Sequence, residues 1–357
     1  MTANVYASSL VIVIYNMRLL ITTQVVDQSD TTLSFMLRWI EEFSEHFEAI
    51  EVICLKKGEH TLPANVAVHS LGKEEDGGAK LLYFIRLLRY IVRLRGRYDA
   101  VLVHMNQEYI LAGGWLWKLL GKRMYMWRNH YAGSLLTDIA AMFCTKVFCT
   151  SKFSYTAKYR KTVRMPVGID LEAFRPVAGM NRKPRSVLFL SRMVPSKRPL
   201  LLIEALRMLQ ERGIAFQAFF YGTALPKDQH YYESLQKEAR GLPVEFYPGV
   251  PHLETPGIYG AHEVFVNCSP SGMYDKTILE AAACGCLSLA SNKDWAALAP
   301  SIFTFEADGA RSLTQQLSVL LELSEEEKEH AREVSTQLVA AHSLALLAWR
   351  LQEELSA

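Results

Sequence analysis

Two cations and a carboxylate are the residues of this chain best placed to do chemistry. In "VLFLSRMVPSKRPLLLIEAL" (187–206) a strand-like run ends at Leu190, and Arg192 and Lys197 stand on the loop before a helix-like run. An arginine forks onto two oxygens, a lysine adds a mobile charge, and a helix start adds N–H groups and its dipole. That set suits a diphosphate. Two solvated charges on a surface loop would show the same spacing. In "SPSGMYDKTILEAAACGC" (269–286) Glu280 lies one turn inside a helix of small and apolar residues, either exposed to water or kept for a polar ligand. Lys276 at the start of that helix would add to a phosphate-binding charge, and Asp275 before it has the type and place of an N-cap. In "MYMWRNHYAG" (124–133) His130 falls just past a strand end, where it faces a cleft or packs into the core. Asp27 and Asn106 are further strand-end candidates.

The elements that must position these residues alternate. Strand-like runs at Leu19–Val25, Ile50–Leu55, Val66–Leu71, Ala100–His104, Met124–Trp127 and Lys146–Thr150 are separated by helix-length runs at Leu33–His46, Lys80–Arg95 and Tyr109–Leu120. Short Val/Ile/Leu strands alternating with helices mean βαβ units and parallel sheets covered on both faces. The pattern restarts after "MPVGIDLEAFRPVAGMNRKPR" (165–185), with strands at Ser186–Leu190, Phe216–Tyr221, Val244–Tyr247, Val264–Asn267 and Leu287–Ala290 and helices at Pro199–Arg212, Tyr231–Ala239 and Thr277–Cys284. A final helix over Ser343–Glu354 has no strand after it and is expected to pack back across the cleft. The expected division is a tail or start extension at 1–16, a first Rossmann-like domain at 17–172, a linker at 173–185, a second domain at 186–340 and the last helix at 341–357. Two doubly wound sheets facing each other leave a ligand cleft at their carboxyl edges.

Composition bounds the function. The 357 residues suffice for two cores, half of them hydrophobic. With 39 Lys and Arg against 37 Asp and Glu, the net charge of +2 argues against nucleic acid as the main partner. Six cysteines and ten histidines fall into no ligand spacing, so structural zinc is not expected. "SSLVIVIY" (8–15) is too short to span a membrane and lacks the basic region of a signal peptide.

Taken together and in order, four segments resemble a known family. "FLSRMVPSK" is similar to the "GR-x-x-x-x-K" loop of the family 4 retaining glycosyltransferases, which have the GT-B fold, and "PVGIDLEAFRP" to their "NGVD-x-x-x-F-x-P" linker. "VEFYPGVPHLETPGIYGAHEVFVNCSPS" resembles their "V-x-F-x-G … Y-x-x-A-D-x-x-V-x-P-S" run, and "ILEAAACGC" their "VLEAMACG". The likeness is strongest over 165–295 and looser through "YDAVLVHMN" and "RNHYAG". It implies an α/β GT-B protein, two doubly wound Rossmann-like domains across a cleft. The implied activity moves a sugar, of hexosyltransferase type with retention, from a nucleotide-diphosphate sugar to a glycan, lipid-linked or small-molecule acceptor. Arg192 and Lys197 are implied on the diphosphate, Glu280 on the donor ribose hydroxyls and His130 near the donor sugar. Val250, Gly272, Met273, Tyr274, Asp275, Lys276 and Thr277 complete the implied donor site, with Asp27, Asn106 and His130 on the acceptor side. The family setting also implies a cytoplasmic enzyme of cell-envelope or exopolysaccharide glycan synthesis. No DxD-type aspartate cluster stands near a strand end, so neither metal nor other cofactor is expected.

The chain departs from the family at one place. The first of the family's two glutamates falls at Gly272, where "GMYDKTILE" replaces the common "EGFGLPVLE". The donor-sugar contact is then either missing or made by Asp275. A second feature is "KLLYFIRLLRYIVRLRGRY" (80–98), in which Tyr83, Arg86, Tyr90, Arg93 and Arg97 recur at helical spacing beside an apolar face. It is either a sheet-covering helix with a wet arginine stripe or a peripheral contact with an anionic membrane. Two other functions fit the same fold. A nucleotide-sugar 2-epimerase needs cleft acids and histidines in the first half, which are not evident. A GT-B subunit without turnover would be consistent with Gly272, and donor hydrolysis or transfer by the pure protein separates these.

Overall fold

Runs of Val, Ile, Leu and Phe without polar alternation become strands buried on both faces. A computed structural model of the chain describes residues 17–76, 80–177, 179–272 and 274–357. The tail expected at 1–16 lies outside the described residues. β1 (Arg18–Val26), β2 (Ala49–Lys57), β3 (Val66–Ser70), β4 (Ala100–His104), β5 (Arg123–Trp127), β6 (Lys146–Cys149) and β7 (Thr162–Arg164) form one sheet in the order β3-β2-β1-β4-β5-β6-β7. β8 (Lys183–Leu190), β9 (Gln217–Tyr221), β10 (Val244–Tyr247), β11 (His262–Asn267) and β12 (Leu287–Ala290) form a second, β10-β9-β8-β11-β12. Every pairing is parallel. Strand order reverses beside β1 and β4 in one sheet and beside β8 and β11 in the other, so each sheet opens a crevice at its carboxyl edge.

The first sheet is covered on one face by the helices Lys80–Arg93, Glu108–Leu119 and Leu135–Phe143, through Leu87, Ile91, Ile110, Trp117 and Ala140. Its other face is covered by Phe35–Ser44 and, from the far end of the chain, by Leu344–Ser356, through Trp39, Ile40, Leu347 and Leu351. The chain crosses from one core to the other over two residues, Met165 packing in the first and Val167 in the second, and it returns between Val339 and Leu344. The two crossings lie side by side: Gly168 and Ile169 donate their N–H groups to the His342 carbonyl at 3.0 and 2.9 Å. Lys146 pairs with Glu354 at 2.9 Å, and Gln352 Nε2 donates to the His46 carbonyl at 3.0 Å, which holds the last helix on the first domain.

Two helices absent from the sequence expectations, Ala310–Glu322 and Glu325–Val339, complete the cover of the second sheet. The second of them opens on a capping box of Ser324 and Glu327. Its outward face, "EEEKEHAREV", carries so much charge that little apolar periodicity remains to announce it.

Gly168 is where the crossing is tightest. Its φ is +75°, and a Cβ there would strike Leu347 and approach Trp39 Cζ2 to 3.0 Å. Gly168→Ala combines a left-handed backbone cost with overpacking and is expected to destabilise the fold by about 2–4 kcal/mol. Thermal unfolding checks this: a melting temperature equal to wild type would mean that the crossing is not tightly packed.

Candidate functional site

The two carboxyl edges face each other across a cleft of about 540 Å³. Of the residues expected at a site, the cleft brings together His130 from the first domain and Arg192, Lys197, Val250, Tyr274, Asp275, Lys276, Thr277 and Glu280 from the second. Three others are elsewhere. Asp27 turns back to the Ser29 N–H (3.0 Å) and pairs with Lys56 (3.5 Å), so it shapes the turn after β1. Asn106 accepts from Gln24 Nε2 at 2.7 Å on the surface. Gly272 is buried against the first domain: its carbonyl accepts from Ser154 Oγ at 3.0 Å, and at φ +93° a Cβ would lie 2.7 Å from the Phe153 carbonyl oxygen and Tyr131 Cβ. Position 272 is therefore not the empty socket of a missing carboxylate, since the backbone itself is pressed onto the opposite wall. Met273 lies outside the described residues.

The loop after β8 presents the two cations differently. Arg192 is exposed at the cleft edge, and its guanidinium has no hydrogen-bond or ion-pair partner among the described residues. Gly222 allows this loop to cross β9, because a Cβ there would collide with the Ser191 carbonyl. Lys197 is held: its Nζ lies 2.6 Å from Asp275 Oδ2 and 3.3 Å from Ser269 Oγ. The same Oδ2 accepts from Ser269 Oγ at 2.5 Å and Asn267 Nδ2 at 3.1 Å. Burial would raise the Asp275 pKa, but the Lys197 charge and these donors outweigh it and hold the carboxyl below its ordinary value. Asp275 precedes the helix Lys276–Ala283 yet makes no side-chain cap, so the expected N-cap role is not its use. Its Oδ1 accepts no hydrogen bond from a described residue, and the side chain keeps 14% of its surface at the cleft.

Lys276 is turned away from a phosphate. Its ammonium donates to the Val167 and Gly168 carbonyls at 2.9 and 2.8 Å and stands over the rings of Trp39 (4.1 Å) and Phe35 (4.8 Å). It joins the donor-side helix to the crossing and to the first domain, which corrects its expected part in phosphate binding. Burial pushes its pKa down to about 7, only partly offset by the Glu280 charge. Glu280 is buried, 3% exposed, with Oε1 at 2.9 Å from His252 Nε2 and Oε2 accepting from Tyr259 at 3.4 Å. Burial raises the Tyr259 phenol well above its ordinary value, so it stays a donor.

Sequence reasoning missed His252, which lines the cleft and ties Glu280 in place. Its position five residues past the end of β10 was the available signal. It also missed His104, the last residue of β4, 3.3 Å from Thr23 Oγ1. Burial, helped by the Lys276 charge, lowers His104 to about 3, so this ring is neutral. Burial also lowers His130, whose Nδ1 accepts from the Ala132 N–H at 2.9 Å.

A larger hollow of about 960 Å³ between the linker and Glu325–Val339 shares no residue with the cleft. Several of the charges lining it are paired, as in Lys328–Glu263 (3.1 Å) and Arg332–Glu329 (3.0 Å). Among the described residues, no three His, Cys, Asp or Glu are grouped to hold a metal ion. No described helix is long and apolar enough to cross a membrane.

Two parallel-sheet domains facing across such a cleft define the GT-B fold. Residues 170–297 match the family described as glycosyl transferases group 1. Among solved structures, HepE of Anabaena in complex with UDP and glucose is similar with a TM-score of 0.75 and 16% identity, over 96% of this chain and 100% of its own. Sucrose-phosphate synthase of Thermosynechococcus elongatus gives 0.74 and 15%, over 95% and 98%. A glycosyltransferase of Rickettsia africae gives 0.73 and 15%, over 96% and 98%. No match is found among curated proteins.

The Lys276 environment has a pH signature. Between pH 7 and its ordinary 10.5, the unfolded chain binds a proton that the folded chain has released, so this residue makes stability rise with pH across that interval. Lys276→Met abolishes that contribution. Wild type is expected to gain melting temperature relative to Lys276→Met from pH 7 to pH 9. A constant difference between the two proteins would show that the ammonium is not buried as described.

Proposed function

We propose that the protein is a retaining glycosyltransferase that moves a hexose from a nucleoside-diphosphate sugar, with UDP the first base to test, to a glycan, lipid-linked or small-molecule acceptor. The observation that carries this reading is the grouping of Arg192, Lys197 and Glu280 on one wall of the cleft, in a domain matched to group 1 glycosyltransferases. The similar HepE structure holds UDP and glucose, which supports a uridine donor.

As the donor breaks, negative charge grows on the leaving diphosphate and positive charge on the anomeric carbon. Arg192, unpaired at the cleft edge, closes onto the phosphate oxygens. Lys197 offers a second charge from a fixed position, and the start of Lys276–Ala283 offers N–H groups. Glu280, held by His252 and Tyr259, accepts from the ribose hydroxyls. Asp275 Oδ1 supplies the sugar-hydroxyl contact that position 272 does not. Among the described residues, the first domain's side of the cleft includes His104 and His130 but no carboxylate. That favours attack on the same face, with the leaving phosphate taking the acceptor proton, over a carboxylate nucleophile. It also disfavours the 2-epimerase reading, which needs acids on that wall. The setting we propose is cytoplasmic, in cell-envelope or exopolysaccharide synthesis, without a metal or other cofactor.

Arg192→Ala and Lys197→Ala are each expected to lower turnover of a nucleotide sugar by about 10²–10³, the scale of one transition-state charge partner. Steady-state kinetics with a panel of sugar nucleotides checks this, and near wild-type rates in both variants would sink the diphosphate assignment. Glu280→Gln is expected to weaken UDP binding by about 1.5–3 kcal/mol in calorimetry. Unchanged affinity would remove Glu280 from the ribose site.

A further inference from the structure

Three neighbouring helices of the first domain carry an unusual share of its exposed apolar side chains. Helix Glu108–Leu119 lies between the other two, and adjacent glycines let both approach. A Cβ on Gly113 would strike Ile91 of helix Lys80–Arg93, and one on Gly114 would come within 3.3 Å of Phe143 of helix Leu135–Phe143. The outward faces of all three therefore share one surface. On the first helix Leu81, Phe84, Ile85 and Val92 are exposed in one stripe. On the middle helix Trp115 and Leu119 follow at i and i+4, 52% and 76% exposed. On the third, Leu135, Leu136 and Met142 are exposed, Met142 to 77%.

The charges on this face are mostly positive, and exposed Glu108 at the start of the middle helix is the unpaired exception among the described residues. Helix Lys80–Arg93 contains no acidic residue, and its Arg89 and Arg93 are exposed without an ion pair to any described residue, as is Lys118 on the middle helix. The two acids on the other helices are Glu108, at a helix start, and Asp138, which is engaged by Lys158 (2.8 Å) and by the Tyr155 and Tyr159 hydroxyls (2.9 and 2.5 Å). The arginine stripe expected from sequence is in part a structural device. Arg86 donates to the Leu71 carbonyl at 2.7 Å, and Arg97 pairs with buried Glu51 at 2.7 Å. What remains free is a plate of large apolar groups set with unpaired cations.

We propose that this three-helix face docks on an anionic lipid bilayer, with Phe84, Ile85, Trp115, Leu119 and Met142 entering the headgroup boundary and Arg89, Arg93 and Lys118 meeting lipid phosphates. Unpaired cations around exposed Leu, Phe, Trp and Met side chains fit a surface that is negative outside and hydrocarbon beneath. The occupant is a lipid surface because large exposed apolar side chains stand beside Arg89, Arg93 and Lys118, which are exposed and unpaired among the described residues. The plate also runs to the cleft mouth: helix Leu135–Phe143 begins five residues after His130, which lines the cleft. Docking there would bring a bilayer-borne molecule to the first-domain side of the cleft.

The full chain is mixed with phosphatidylglycerol–phosphatidylcholine vesicles, or with phosphatidylcholine alone, and sedimented. Wild type is expected to pellet with the anionic vesicles at low salt and to release at high salt. Arg89→Gln and Arg93→Gln should each weaken binding about fivefold. The double change Trp115→Ser and Leu119→Ser should abolish pelleting while leaving melting temperature and UDP binding as in wild type. Wild type staying in the supernatant at low salt, or existing as a dimer that the Trp115→Ser/Leu119→Ser variant dissociates, would overturn the proposal. So would pelleting of that variant equal to wild type. UDP affinity measured in the same samples reports on the enzymatic reading separately.

Discussion

The relation between the two sheets hangs on a few contacts around the segment Val167–Asp170. Two backbone carbonyls there, Val167 and Gly168, accept from the Lys276 ammonium, and Gly168 also accepts from Trp39 Nε1 at 3.0 Å. One residue on, Asp170 pairs with Arg38 Nε at 2.7 Å, and the N–H groups of Gly168 and Ile169 are taken by the His342 carbonyl. A short stretch thus ties the first domain, the donor-side helix and the returning chain into one knot. An ammonium fits this place because it can donate to two carbonyls and still stand over two aromatic faces. The cleft distances between walls depend on this arrangement together with a second set of contacts, where Ser154 Oγ donates to the Gly272 carbonyl and Ser151 Oγ to Asp294.

Within the cleft, the distribution of paired and unpaired charge has a clear physical sense. Lys197 is matched by Asp275, Glu280 by His252, and Lys276 by carbonyls and rings, so these buried groups are held in fixed orientations. Held charges can stabilise developing charge without reorganising at the moment of reaction. Arg192 alone among the cleft's cations is exposed and without a side-chain partner among the described residues, and it is the group free to follow a mobile anion. Asp275 adds a restraint. By holding Lys197 it lowers the net positive charge that the proposed diphosphate would meet.

Much of the fold was legible because its strands are doubly buried and so read as unbroken apolar runs, and because loops between strand and helix fall at carboxyl edges by construction. Arg192, Lys197 and His130 were placed at the cleft that way, and Glu280 by its place in the resembled motif. What stayed hidden was the direction of side chains whose partners are far along the chain. Lys276 looked like a phosphate cation because its acceptors, Val167 and Gly168, lie more than a hundred residues away in sequence. Asp275 looked like a cap because Lys197 lies 78 residues away in sequence. At Gly272 the chain lacks the glutamate of the resembled motif, which reads as a lost contact. Only the packing of that backbone on Tyr131 and Phe153 shows that no side chain would fit. His252 was overlooked since nothing nearby in sequence marks it as the partner of Glu280. The helix Glu325–Val339 was overlooked since its charge masks its period.

The same knot constrains how the cleft can respond to a ligand. A ligand shifts the arrangement of two domains only by the difference in its affinity for the two arrangements. One that touches Arg192 and Glu280 on one wall and His130 on the other makes its full set of contacts at one separation only. Any change of separation must be absorbed near Gly168, the positive-φ residue packed under Leu347 and Trp39, and at the Ser154–Gly272 and Ser151–Asp294 contacts between the domains. Lys276 is bound to that residue's carbonyl and adjoins Asp275, the partner of Lys197. A shift at the crossing therefore reaches, through one residue, the lysine we propose meets the diphosphate. On the proposed function, domain position and phosphate binding are linked by a continuous chain of contacts, Gly168 to Lys276 to Asp275 to Lys197.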